Sequence, residues 1–165
     1  MRDSTAWGEW AALLGVEFAP GSHKERSISV LGGLVAVACV FAIGRAFVGP
    51  DSAAALVASM GASPVLLFAV PHGKLSQPWP VAGGHVVSAV IGVACARYIP
   101  NQIVAAGVAV GLSIGAMHYL RCIHPPGGAT ALAAVVSGEP LGALGFGFVV
   151  APVLLNVIVI LAVAV

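Results

Sequence analysis

Carboxylates are almost missing from this chain. There are six, and none lies inside an apolar run. Asp3, Glu9, Glu17 and Glu25 precede the first such run, and Asp51 and Glu139 sit in the turn-like stretches Gly-Pro-Asp-Ser and Ser-Gly-Glu-Pro. Without carboxylates the apolar part has neither the usual oxygen ligands of a metal cage nor a general acid/base pair. No nucleophile, base and orienter stand together in the sequence, so an enzyme is not expected, and no metal or cofactor is called for. Charge of any kind is scarce, at 8% against 59% hydrophobic residues. A soluble domain carries roughly a quarter charged residues, so lipid is the solvent for most of this chain. The net charge is +1 with no basic stripe, which excludes a nucleic-acid partner. Cys39, Cys95 and Cys122 are odd in number and widely spaced, and they read as small apolar fillers. The N-terminus lacks the basic-then-apolar layout of a signal peptide.

Long apolar runs are abundant. Residues 1–26 come first and hold seven of the thirteen charged residues. There Trp7, Trp10, Leu13 and Leu14 recur at helical spacing, predicting an amphipathic helix at the membrane interface. Spanning runs follow at Ile28–Val48, Val81–Tyr98, Ile103–Leu120 and Leu141–Val165. Two further apolar segments are interrupted. Ala53–Val70 contains Gly61-Ala62-Ser63-Pro64, and the run to Val136 is preceded by His124-Pro125-Pro126-Gly127-Gly128-Ala129-Thr130.

The two interrupted segments can be laid on one another, Gly61-Ala62-Ser63 on Gly128-Ala129-Thr130. The chain then reads as span, broken helix, span, twice over: an all-α polytopic membrane domain over 27–165, with repeats at about 28–98 and 103–165. Ser63 before Pro64 has the form of a helix N-cap, and Thr130 or Gly128 is its counterpart. A helix that starts inside the bilayer has amide groups without intrahelical partners, and such groups favour an anion. If the broken segments cross, the repeats are inverted. With the N-terminus in the cytoplasm, Arg2, Lys24, Arg26, Lys74 and Arg121 then lie inside and Arg45 and Arg97 outside, as the positive-inside rule prefers. The C-terminus is inside as well.

Ionisable residues within the apolar part are functional candidates. His124 stands in the second break and His85 follows Gly83-Gly84. His118 continues the face of Gly107, Gly111 and Gly115, which predicts a close helix contact within the subunit or across a homo-oligomer. Asn156 reads as a helix–helix hydrogen bond, and Ser88 and Ser113 as ordinary back-bonded serines.

His124-Pro125-Pro126-Gly127-Gly128-Ala129-Thr130-Ala131-Leu132, with Arg121-Cys122 before it, resembles the signature of the HPP family of integral membrane proteins. Met60–Phe68 and the stretch from Gln77-Pro78-Trp79 to Gly83-Gly84-His85 resemble that family's other marked segments. The resemblance implies four membrane spans, and through some members it implies nitrite transport. Some bacterial relatives carry a further soluble domain, which is not expected here. The expected function is passage of a small monovalent anion, nitrite first, through a bacterial inner membrane. Gly61, Ala62, Ser63, His85, His118, His124, Gly127, Gly128, Ala129 and Thr130 form its site, and Lys74 and Arg121 attract anions at one mouth. An uncoupled channel and a non-transporting scaffold are the alternatives.

Overall fold

The computed structural model describes Trp10, Leu13 and Leu14 together with residues 22–137 and 143–164. The amphipathic segment expected over 1–26 otherwise lies outside the described residues as far as residue 21, and its last residues, from His23, belong to the first spanning helix. The described part is all helical. Six apolar helices follow one another: α1 (His23–Pro50), α2 (Ser52–Ala69), α3 (Pro78–Tyr98), α4 (Gln102–Tyr119), α5 (Pro125–Val136) and α6 (Val149–Ala164). The first four are long and apolar enough to cross a membrane, and the last two are shorter.

Local chemistry sets the ends. Ser22 opens α1 with a capping box: its hydroxyl accepts from the Glu25 amide, and its own amide donates to the Glu25 carboxylate. Gly49, at φ 77°, breaks the helical path between α1 and α2, a conformation that suits a residue without Cβ. Pro78 begins α3, and the Asn101 side chain caps α4. At the end of α4 the Cys122 amide bonds to the Met117 carbonyl and the Arg121 amide to the His118 carbonyl. This is a Schellman motif, and Arg121, at φ 54°, occupies the left-handed position that usually falls to glycine.

Side-chain bonds fix which ends lie together. Ser29 of α1 donates to the Phe68 carbonyl of α2, and Trp79 of α3 donates to the Leu120 carbonyl beyond α4. A groove of about 870 Å³ is lined by Glu25, Arg26, His72 and Val163, so the start of α1, the loop after α2 and the end of α6 share one end of the bundle. We call this the near end. At the far end, Gln102 donates to the Val135 carbonyl, and Ser52 reaches the Ser137 carbonyl at 3.5 Å. So α5, although only 12 residues long, starts at the near end and finishes at the far end. The extended backbone at His124 supplies part of its reach. Both interrupted segments therefore run from one end of the bundle to the other.

Two expectations about the spans need correction, and one alternative falls away. Ala53–Val70 is not a pair of half-helices: Gly61 keeps right-handed helical angles (φ −66°, ψ −18°), and its amide bonds to the Val57 carbonyl. The last span is not one long helix. The backbone of Ala151, before Pro152, leaves helical geometry (φ −134°, ψ 119°), because proline disfavours the helical conformation in the residue before it. Finally, the Gly107–Gly115 face of α4 makes no close contact within the subunit, since a Cβ on any of these glycines would meet nothing within 4 Å.

The tight seam lies between α3 and α5. A Cβ on Gly92 would stand 2.5 Å from the Ala131 carbonyl oxygen, and one on Gly127 would stand 2.5 Å from that of Gly84. These glycines let two backbones touch, which is how helices associate where lipid gives no hydrophobic drive. A core of Val40, Leu56, Met60, Val81, Phe148 and Ile160 fills the side of the bundle towards α1 and α6.

Candidate functional site

Four fully buried polar side chains meet beside this seam: Ser63 of α2, His85 of α3, His124 before α5 and Thr130 of α5. Each arrives for a local reason. Ser63 lies on the inward face of a continuous helix, one residue before Pro64. His85 follows the glycines that let α5 approach α3. His124 is the extended N-cap residue of α5 (φ −142°, ψ 103°), so its side chain leaves sideways and not along the helix. Its backbone fits only because residue 84 is glycine, where a Cβ would stand 2.6 Å from His124 Cβ.

The four groups form one chain. Ser63 Oγ lies 2.8 Å from Nε2 of His85 and 2.8 Å from Nε2 of His124. Nδ1 of His85 lies 2.8 Å from Thr130 Oγ1, and Nδ1 of His124 lies 2.8 Å from the Leu75 carbonyl oxygen. The two rings stand edge to face, with centroids 5.0 Å apart. All four ring nitrogens thus have protein partners, as burial in an apolar medium demands.

A carbonyl oxygen only accepts, so the Leu75 end fixes every proton. Nδ1 of His124 must carry a hydrogen, and in the neutral ring Nε2 is then bare and accepts from the Ser63 hydroxyl. Ser63 has no second hydrogen, so it accepts from Nε2–H of His85. His85 then has a bare Nδ1, which accepts from the Thr130 hydroxyl. These positions follow from the bonding pattern. The Leu75 carbonyl is itself held by its neighbours: Ser76 donates to the Leu66 carbonyl, and Gln77 donates to those of Pro71 and Gly73.

Free amides are scarce at the start of α5. Pro125 and Pro126 take the first two positions of α5 and have no N–H. The Gly127 amide donates to the His124 carbonyl at 2.8 Å. Neither Ser63 nor Thr130 caps a helix: Ser63 lies within α2, and the N-cap residue of α5 is His124, without a side-chain cap bond. The two prolines that mark the motif thus remove the donors it was expected to offer, and the polar centre is built from side chains.

The expected site residues separate into three groups. Ser63, His85, His124 and Thr130 come together, with Gly127 packed behind them. Gly61 is half-buried and Ala62 is exposed. His118, Gly128 and Ala129 turn the other way and line an apolar groove of about 460 Å³ between α4 and α5. Lys74 and Arg121 are exposed at the near end, the first beside Leu75 and the second three residues before His124. Among the described residues, no three His, Cys, Asp or Glu side chains are placed to hold a metal ion. Sequence reasoning missed the Leu75 carbonyl, which no residue type announces. It also passed over Ser88, whose hydroxyl is buried without a partner, as are both side-chain polar atoms of Asn156. For Ser88 a signal existed: it stands one turn after His85, midway between Gly84 and Gly92.

No solved structure matches the chain. Among curated proteins it is similar to two transmembrane proteins of Dictyostelium discoideum. One is 43% identical over 102 residues, covering 59% of this chain and 32% of the relative. The other is 41% identical over 113 residues, covering 66% and 39%. The chain thus spans 32% of one relative's length and 39% of the other's. The description of the HPP transmembrane region matches residues 19–165. That range takes in all six helices and the whole histidine–hydroxyl chain, and the protein belongs to the HPP family of membrane proteins.

Proposed function

We propose that this domain is a transporter that carries a small monovalent anion together with a proton, with nitrite the first candidate. The observation that carries the reading is the fully buried chain of His124, Ser63, His85 and Thr130. Ionisable groups inside a membrane domain mark substrate and proton pathways. The chain combines two imidazoles, each with a ring nitrogen able to take up a further proton, with two hydroxyls that donate to an anion. Because all four side chains are enclosed, a carrier that opens in turn to each side fits better than an uncoupled channel. Lys74 and Arg121 draw anions to the near end. Lys24, Arg26, Lys74 and Arg121 are at that end and Arg45 and Arg97 at the other, so the near end is cytoplasmic by the positive-inside rule. A bacterial inner membrane remains the proposed setting. A second copy covers the open Gly107–Gly115 face in a homo-oligomer, and a scaffold role would account for that face but not for the histidine–hydroxyl chain.

The test is nitrite uptake into liposomes holding the purified protein. Uptake above empty vesicles, increased by an inward proton gradient, is the expected result. Its absence for nitrite and other small monovalent anions sinks the reading. One observation favours a rival. Ser63, His124 and the Leu75 carbonyl have the order of nucleophile, base and orienter. However, Nε2–H of His85 already occupies the Ser63 oxygen, and the hydroxyl is fully buried. Covalent labelling of Ser63 by a fluorophosphonate would support the enzymatic reading, and its absence the transport reading.

A further inference from the structure

We propose that His85 is the proton-binding site of the chain, and that the Thr130 hydroxyl is its two-position partner. The inference deepens the transport reading and rests on it for its biological meaning, but its chemistry stands on the bonding pattern alone. Thr130 Oγ1 has two acceptors within reach: Nδ1 of His85 at 2.8 Å and the Pro126 carbonyl oxygen, one turn back in α5, at 3.3 Å. Its single hydrogen serves only one of them. In the neutral chain it points at Nδ1. When a proton from the aqueous phase binds Nδ1, an N–H bond forms there and donates to the Thr130 oxygen. The Thr130 hydrogen then turns to Pro126. No side chain has to move, and no buried donor is left without an acceptor.

His124 lacks this provision. Protonating its Nε2 places a hydrogen opposite Ser63 Oγ, which already accepts from His85. The Ser63 hydrogen must then turn to Nε2 of His85, which requires His85 to carry its own hydrogen on Nδ1 and the Thr130 hydrogen to turn to Pro126. At His85 one hydroxyl turn accommodates the proton, whereas at His124 two hydroxyls turn and a second imidazole changes tautomer, so His85 takes the proton with the least rearrangement. The groups that face His85 are Ser63 from α2, His124 from the start of α5 and Thr130 from α5. Cys122, against Gly83, is the other titratable side chain brought to this stretch of α3. Among the described residues no carboxylate, lysine or arginine bonds to the ring, so the positive charge is left for an accompanying anion to balance. The unpartnered Ser88 hydroxyl, one turn along α3 and next to Gly127, is a donor for that anion.

The experiment is ¹⁵N NMR of the histidine-labelled full chain in lipid nanodiscs, followed through an acid titration. At neutral pH the expected tautomers are Nε2–H for His85 and Nδ1–H for His124. On acidification His85 becomes doubly protonated before His124. In Thr130→Val the pH at which this happens falls by about one unit or more, the worth of a hydrogen bond to a charged group. Thr130→Ser, which keeps the hydroxyl, restores it. Opposite tautomers, prior protonation of His124, no titration of His85 before unfolding, or an unchanged titration in Thr130→Val would each overturn the proposal. The wild-type tautomers decide even if the valine variant does not fold. Nitrite uptake is a separate readout: uptake without protonation of His85 defeats this inference alone, and protonation without uptake defeats the transport reading alone.

Discussion

Two faces of this molecule are written in nearly the same letters. On α3, Gly84, Ser88 and Gly92 follow one another at four-residue spacing, with His85 beside them. On α4, Gly107, Gly111 and Gly115 do the same and lead to His118. The first face is closed against α5, with no room for a single added carbon, and its histidine is fully buried in the polar chain. The second is open, and its histidine lies exposed beside an apolar groove. Small residues at helical spacing permit close approach, but they do not say what approaches. That depends on whether the facing helix is equally small, as α5 is at Gly127, Ala131 and Ala134.

Substitution sharpens this contrast most. Gly127→Val drives carbon into the Gly84 backbone, and overpacking of this kind costs about 3 kcal/mol or more because a backbone cannot rotate away. Thermal unfolding in detergent should show a large loss or no folded protein. Gly111→Ala should be neutral, or stabilising by up to about 1 kcal/mol through helix propensity. Equal losses at both positions would erase the distinction between the faces.

The histidines should differ next. Ser63→Ala removes the shared partner of both rings and leaves Nε2–H of His85 without an acceptor, at about 1–3 kcal/mol. His118→Ala should change unfolding by less than about 0.5 kcal/mol, as exposed sites do. If a second copy covers the α4 face, Gly111→Leu should lower the oligomer fraction on native mass spectrometry, while His85→Gln should leave that fraction unchanged. The smallest effect concerns Arg121. Its left-handed conformation costs an L-residue about 1 kcal/mol, so Arg121→Gly should raise stability slightly. Anion uptake should fall in the same variant if the charge serves the near-end mouth.

Much of the fold was legible. Apolar runs bounded by Gly49-Pro50, Pro78, Asn101 and Pro125 gave the helices, because those residues act locally as breaks and caps. Ser63, His85, His124 and Thr130 could be named because polar residues in an apolar chain must have partners or a function. The register that aligns Ser63 with Thr130 pairs two hydroxyls that hold opposite nitrogens of one imidazole. The reason given for those residues was wrong in part. Gly61-Ala62-Ser63-Pro64 has the composition of a helix start, yet the helix runs through it, since Gly61 and Pro64 are both compatible with right-handed angles and packing supplies the continuity. Pro125-Pro126 does start a helix, but prolines remove the amides that make a helix start attractive to an anion. Both facts follow from residue chemistry, and the second was available from the sequence.

The sequence by itself determined that this chain lives in lipid, that it is helical, and that a few hydroxyls and imidazoles stand among its apolar runs. Composition and local backbone rules act over a handful of residues, so they need no knowledge of neighbours. Only the tertiary structure decided which hydroxyl meets which nitrogen, that the Leu75 carbonyl sets the proton order of the chain, and which glycine face is closed. Those contacts join residues 22 to 61 positions apart. They exist only because six helices pack with α3 and α5 touching backbone to backbone.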